Sequence, residues 1–285
     1  MRRMITLTLC AVMVLGLLSG CGGQKAGEGK NRLEEILERG YITVATEPYF
    51  APEEFIDPTK EGDDRIVGAD IELAKYIAAE LGVDCQIIPL DFSTVLSSVT
   101  EGKYDLAISA LAFTPDRAEN MNLSDSYYVG AEDDDNTYGF AMAAGLEGSV
   151  KGLEDLADKT VALQQGSLQQ FLWEQSGAVC RELKYVSSTN DAFLMVSSGK
   201  ADAVITATAF ARLYLDANRD SGIVMCEDFR FDVEDKYVGM VMGMKKGEDA
   251  LLARINEIIA EVAASGVYAE WVSQYKEYAS GLGLM

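Results

Sequence analysis

Residues 68–89 read GADIELAKYIAAELGVDCQIIP, a helix that passes straight into a strand. Gly68 opens the helix, and Ile71, Ala74, Ile77 and Leu81 recur at steps of three and four, so they fall on one face. Gly82 closes it, glycine being the residue that most readily takes the left-handed turn beyond a helix end. Asp84 to Pro89 then reads as a strand. Working outward, Arg32 to Glu38 is a short helix stopped by Gly40, and Tyr41 to Thr46 is a strand rich in β-branched residues. Downstream, Ser93 to Thr100 is a helix with Val95, Leu96 and Val99 inward, ended by Gly102. Tyr104 to Leu111 follows as a nearly continuous apolar run, the kind buried on both faces of a parallel sheet. Strand and helix alternate throughout, which predicts an α/β fold of mainly parallel sheets flanked by helices.

The pattern pauses at Tyr127 to Tyr138, where the acid run Glu132 to Asp135 reads as a solvated loop. It restarts with strand Gly139 to Ala144, strand Thr160 to Leu163, helix Leu168 to Gln175, strand Leu183 to Val186, helix Asp191 to Ser197 and strand Ala203 to Ile205. Two runs of one architecture imply two lobes. The tail adds strand Tyr237 to Met244, helix Leu251 to Ser265 with Leu252, Ile255, Ile258, Ile259 and Val262 inward, and a last helix around Trp271. A tail that returns to the first lobe makes two chain crossings, the geometry of a hinge. The expected division is 32–138 plus 239–280 for lobe 1 and 139–238 for lobe 2.

At the start of the chain, Arg2 and Arg3 precede an apolar run from Leu7 to Leu18, which ends in Ser19 and Gly20 before Cys21. This is the layout of a secretory signal over residues 1–20, too short to span a membrane as a helix. Leu18-Ser19-Gly20-Cys21 matches the bacterial lipobox, which implies a lipid on Cys21 and anchoring at the outer face of the cell membrane. Residues 21–31 are Gly-rich and polar and read as a flexible tether. The formal net charge is -22, and losing the two signal arginines leaves about -24. Such a charge argues against nucleic acid or anionic lipid as a partner.

The chain has no histidine, and after Cys10 and Cys21 its remaining cysteines are Cys85, Cys180 and Cys226, without Cys-x-x-Cys spacing. Zinc sites and histidine-based catalysis are poorly supported, and no cofactor is expected. Three thiols cannot all pair: Cys180 and Cys226 either form a disulfide or serve with Cys85 as small buried hydrophobes.

Thr114-Pro115-Asp116-Arg117-Ala118 carries the clearest local chemistry. Thr114 suits a helix N-cap, Pro115 fits the first turn, and Arg117 then sits where free N–H groups already favour an anion. An arginine there either clamps a carboxylate with two parallel hydrogen bonds or pairs with Asp105, Glu119 or another surface acid.

Several segments together resemble the polar amino-acid type of extracellular solute-binding proteins, family 3, the receptors of ATP-driven importers. These are 44–52 (VATEPYFAP), 67–74 (VGADIELA), 102–106 (GKYDL), 114–118 (TPDRA), 123–128 (LSDSYY), 165–167 (QGS) and 199–204 (GKADAV), spread over about Leu33 to Tyr275. The resemblance implies a two-lobed periplasmic-binding-protein fold that closes by a hinge. Arg117 would hold the α-carboxylate of a ligand, Phe50 and Phe92 would sandwich its side chain, and Ser109 with the backbone of Ala110 and Ala112 would line the first-lobe wall. From the second lobe, Gln164, Ser167 and the Leu168 amide would close on the same carboxylate, and Thr206 would join the ligand-binding residues.

Three positions depart from that pattern. Ala112 stands where the family commonly has Ser or Thr, and Glu53 where it usually has an aromatic. Ala207 stands where it usually has an aspartate for the ligand's α-ammonium, and Thr206 and Thr208 beside it bring no charge. An unpaired buried ammonium costs several kcal/mol. Either another acid, with Glu47, Glu53 and Glu54 as candidates, supplies the pairing, or the ligand lacks that group. The function expected is that of a monomeric lipoprotein, not an enzyme, which captures an amino acid or related small carboxylate and delivers it to an importer permease. The alternative is a cyclohexadienyl (prephenate or arogenate) dehydratase-like enzyme on the same fold, with Glu47 or Glu53 as its acid. Ligand identity is not legible at this level.

Overall fold

Alternating apolar residues on short strands leave both faces of each sheet needing cover, and helices supply it. The computed structural model describes residues 30–130 and 137–284. The signal segment, Cys21 and the acid run Glu132 to Asp135 lie outside the described residues.

From Arg32 onward the chain forms one compact unit built on two five-stranded sheets. The first contains β1 (Tyr41–Thr46), β5 (Asp84–Pro89), β6 (Leu106–Ala107), β7 (Met121–Leu123) and β13 (Gly243–Lys245), in the order β5-β1-β6-β13-β7. The second contains β8 (Tyr138–Ala143), β9 (Thr160–Gln164), β10 (Glu182–Val186), β11 (Ala203–Ala207) and β12 (Ile223–Met225), in the order β10-β9-β11-β8-β12. In each sheet the fourth strand alone is reversed: β13 pairs antiparallel with β6 and β7, and β8 with β11 and β12. The sheets are thus mixed, each with four strands in one direction. The reversed strands are those reached when the chain passes between sheets, after β7 and again after β12. A small sheet of β2 (Tyr49–Phe50), β3 (Glu54–Ile56) and β4 (Ile66–Val67) follows β1.

In β1, Ile42 and Val44 point into the core beneath α1 (Arg32–Arg39) and α2 (Ala69–Leu81), while Ala45 points to the opposite face, where Val95 and Val99 of α3 (Phe92–Thr100) pack. The stripe read from residues 68–89 buries Ile71, Ala74 and Ile77 fully, and Leu81 lies at its edge. Each such aliphatic side chain contributes roughly 1.5–3 kcal/mol on full burial. Gly82 ends α2 in the left-handed conformation at φ 69°. Helices α8 (Asp249–Ser265) and α9 (Val267–Gly281) return to this lobe, with Ile255, Ile258, Ile259 and Val262 in the same core. The second sheet repeats the design: Val161 and Leu163 face one core, Ala162 the other, where α6 (Thr189–Ser197) packs.

Two expected strands are shorter than their apolar runs. Tyr104 to Leu111 pairs as a strand only at Leu106–Ala107, because the backbone turns at Ala110, whose φ is 45°. That turn is held by the Ala110 N–H donating to Asp70 Oδ2 at 2.8 Å. Tyr237 to Met244 resolves into a 3-10 turn at Asp235–Tyr237 and strand β13. Between them Met240 bridges to both Ala112 and Tyr128, so this segment ties the crossing to the first lobe. Cys85, Cys180 and Cys226 are all unpaired thiols, and Cys180 and Cys226 pack in the same second-lobe core. The acid Asp105, one expected alternative partner of Arg117, is instead paired with Arg39 and Arg32 and bonded by Thr43.

Candidate functional site

The carboxyl ends of β1, β6, β9 and β11 converge on one cleft, where open α/β sheets place their ligands. It encloses about 150 Å³. Eleven of the twelve binding residues named from the sequence line it: Glu47, Phe50, Glu53, Phe92, Ser109, Ala110, Ala112, Arg117, Gln164, Ser167 and Leu168. Thr206 does not. Side chains alternate along β11, so Ala207 faces the cleft while Thr206 is fully buried and its hydroxyl donates to the Ala207 carbonyl at 3.2 Å.

Arg117 lies in α4 (Pro115–Asn120), and its own N–H donates to the capping Thr114 Oγ1 at 3.2 Å. Arg117 is only 6% exposed, and its guanidinium joins the two lobes. Nη1 donates to the Ala112 carbonyl at 2.5 Å, and Nη2 donates to the Gly166 carbonyl of the second lobe at 2.8 Å. The Phe92 ring centroid lies 5.5 Å from Cζ, fixing the guanidinium from one side. Burial pushes Arg117 down to about 10 while Tyr138 and Asp116 oppose that shift, so it stays cationic at neutral pH.

Phe50 and Phe92, the rings expected to sandwich a ligand side chain, both line the cleft. Phe50 stacks on Phe210 of the second lobe, centroids 4.8 Å apart and planes 1° from parallel, while Phe92 serves Arg117. Phe210 lies in α7 (Thr208–Ala217), and sequence reasoning missed it. A Phe in an apolar run carries no mark that it meets a ring from the other lobe. Ser167 caps α5 (Leu168–Ser176): its hydroxyl donates to the Gln164 carbonyl at 2.7 Å and accepts from the Gln170 N–H at 3.2 Å. It therefore shapes the turn beneath Arg117.

The first-lobe wall is acidic. Glu47 (3% exposed) and Glu54 (1% exposed) are both buried. Ser109 Oγ accepts from the Glu47 N–H at 3.0 Å and donates to Glu54 Oε1 at 2.9 Å. Asp70 lies behind them and accepts from Tyr268 Oη at 2.6 Å and Tyr127 Oη at 2.9 Å. Burial pushes the Glu47 carboxyl up to about 8; a hydrogen bond from Gln164 opposes the shift, and Asp91 and Asp191 add to it. Burial likewise raises Glu54 well above the ordinary carboxylate range, reinforced by Asp70, Glu53 and Glu47. These acids hold protons that a solvated carboxyl would release.

The cleft thus lies between two mixed sheets, with one cation, Arg117, bonded to both walls and the buried carboxyls of Glu47 and Glu54 on the first-lobe side. The chain belongs to the bacterial extracellular solute-binding proteins, family 3, whose profile matches residues 42–278. It is similar to the arginine-binding extracellular protein ArtP of Bacillus subtilis, 26% identical over 265 residues that cover 91% of this chain and 92% of that protein. Among solved structures it is similar to an amino acid ABC transporter substrate-binding protein from Streptococcus pneumoniae bound to L-arginine, at 29% identity and a TM-score of 0.75, covering 88% of this chain and 99% of that one. An ancestral amino-acid-binding protein described as a precursor of cyclohexadienyl dehydratase matches at 25% identity and a TM-score of 0.69, covering 86% and 99%.

Proposed function

We propose that this chain is the substrate-binding component of an ABC importer and that its cleft closes on an α-amino acid whose carboxylate docks on Arg117. The observation that carries this reading is the guanidinium bonded to both lobes, through Ala112 and Gly166. A carboxylate bound there strengthens a contact between halves that already meet, which favours the closed state. The relatives that bind amino acids support the ligand class. The lobes divide as 32–138 plus 239–280 and 139–238, joined by two hinge crossings. The body is a monomer, tethered at the outer face of the cell membrane by lipid on Cys21, and it delivers its ligand to a membrane permease.

Thermal unfolding with each common amino acid tests the reading, since a ligand that binds only the native state raises the melting point by mass action. Stabilisation by at least one amino acid, and none by its decarboxylated amine, is expected. A second reading, a dehydratase, draws on one observation: Glu47 is a buried carboxyl that keeps its proton near neutral pH. Turnover of prephenate by the purified protein separates the two, and the receptor reading predicts none.

A further inference from the structure

A second pocket opens between the lobes beside the cleft. Ala51, Phe210 and Leu213 line both, so the two cavities share a wall, but among the described residues no acid or base lines the second. It encloses about 310 Å³, within the roughly 300–1,000 Å³ usual for small-molecule sites, which favour such junctions between domains.

Both walls are braced from behind. On the first-lobe side Phe55 of β3 is 3% exposed, its ring centroid 6.1 Å from that of Tyr275 on α9 and the planes at 77°. On the second-lobe side Phe210 and Tyr214 stand one turn apart on α7, and Tyr214 stacks on Phe193 of α6 with centroids 4.2 Å apart. One carboxamide joins the walls: Asn190 Nδ2 donates to the Tyr49 carbonyl at 3.4 Å, and an amide oxygen such as its Oδ1 accepts from a donor on a guest. Tyr49 and Leu284, 46% and 40% exposed, line the same pocket and are two of the large apolar side chains left in water.

An ion brought into such a pocket leaves water without a counter-charge, so the lining selects a neutral molecule. Rings on both walls suit a flat aromatic guest, and the single carboxamide provides for one hydrogen-bonding group. We propose that this pocket is a second ligand site, for a small neutral aromatic molecule with one N–H or O–H donor, and that its occupant and the ligand of the cleft strengthen each other's binding. The coupling follows from the walls. Each lobe supplies one, so the site is whole only when the lobes are together, and a guest that binds only that state draws the equilibrium toward it. Linkage makes the effect reciprocal. The site goes beyond the amino-acid reading, and only the coupling rests on it.

Calorimetry with indole as probe, on the native protein with and without L-arginine, reads both parts. Indole should bind alongside L-arginine, with its Kd lowered at least about fivefold, and saturating indole should lower the Kd of L-arginine by the same factor. Tyr214 lines the second pocket and not the cleft, so Tyr214→Ala should weaken indole at least about tenfold and leave L-arginine, without indole, within about threefold of its native Kd. Leu284→Glu alters an exposed position, should fold, and should weaken indole in the same direction if Tyr214→Ala does not fold. The aromatic cation trimethylphenylammonium should bind the native protein more weakly than indole.

No saturable binding of indole, or binding that neither variant weakens, overturns the site. Displacement of L-arginine by indole, or affinities that ignore each other, overturns the coupling. Tighter binding of trimethylphenylammonium than of indole overturns the choice of a neutral guest. Should L-arginine not bind, the amino acid that most raises the melting point takes its place. If none does, the coupling and the amino-acid reading fall together, and the second site is decided by indole alone.

Discussion

Replacing Arg117 by alanine removes a guanidinium that bonds to both lobes at the cleft. A guanidinium has five N–H donors. One goes to Ala112 and one to Gly166, which leaves the rest to grip a carboxylate, and the Phe92 ring holds their plane. Truncating one partner of a buried, hydrogen-bonded charge pair costs about 2–5 kcal/mol. At 1.4 kcal/mol per decade, that is roughly a thirtyfold to several-thousandfold rise in Kd. A ligand at about a thousand times its Kd stabilises its receptor by ~4 kcal/mol, so about half to nearly all of the ligand-induced rise in melting temperature should vanish at the same concentration. Without ligand the effect is smaller: two buried carbonyls lose a donor, at about 1–3 kcal/mol, but a buried charge is also removed. Arg117→Lys keeps the charge and loses the fork, so its Kd should fall between. Calorimetry with thermal unfolding reads both quantities. A folded Arg117→Ala protein that binds its amino acid within about threefold of the native affinity, under 1 kcal/mol, refutes the reasoning.

Glu47→Gln should stabilise the ligand-free protein at alkaline pH. Burial carries the carboxyl from 4.5 to about 8, so stability tied to its proton is whole below about 4.5 and lost as pH rises through 8. At ~1.4 kcal/mol per decade the gap between variant and native approaches ~4 kcal/mol at pH 8 and closes near pH 4, as denaturant melts at the two pH values would report. Phe210→Ala removes the ring that stacks on Phe50 across the lobes. It should cost about 3 kcal/mol and enlarge the ligand-free radius of gyration in solution scattering; an unchanged radius would mean the stack does not hold the halves. At Gly68, φ is 135° and an added Cβ would lie 2.1 Å from the Glu53 carbonyl oxygen. Gly68→Ala should therefore displace Glu53 and the start of β3 at Glu54, lose about 3 kcal/mol or more in denaturant melts and weaken ligand binding.

Periodicity was enough to place α2 and its Gly82 stop, and the Thr114-Pro115 start of α4 is where local capping rules put it. These features depend on neighbours within one turn. Long-range contacts left no such mark. Asp70 meets Tyr127 and Tyr268, 57 and 198 residues away, and nothing near Asp70 in the chain announces either tyrosine. The apolar run Tyr104 to Leu111 reads as an unbroken strand, yet the Ala110 turn depends on the Asp70 carboxylate from α2. Thr206 and Ala207 differ by one step of side-chain alternation, so a small error in where β11 begins sends the wrong residue to the cleft. Arg117 could be placed at a helix start from sequence, but that it reaches Gly166, 49 residues on, is a fact of the folded chain.

The most direct test is a crystal structure with whichever amino acid stabilises the protein most. Its α-carboxylate should lie within about 3.2 Å of the Arg117 guanidinium, with the turn 165–167 closed over it from the second lobe. A ligand carboxylate bound elsewhere in the cleft, or an Arg117 still bonded only to Ala112 and Gly166 beside an occupied site, would contradict the account.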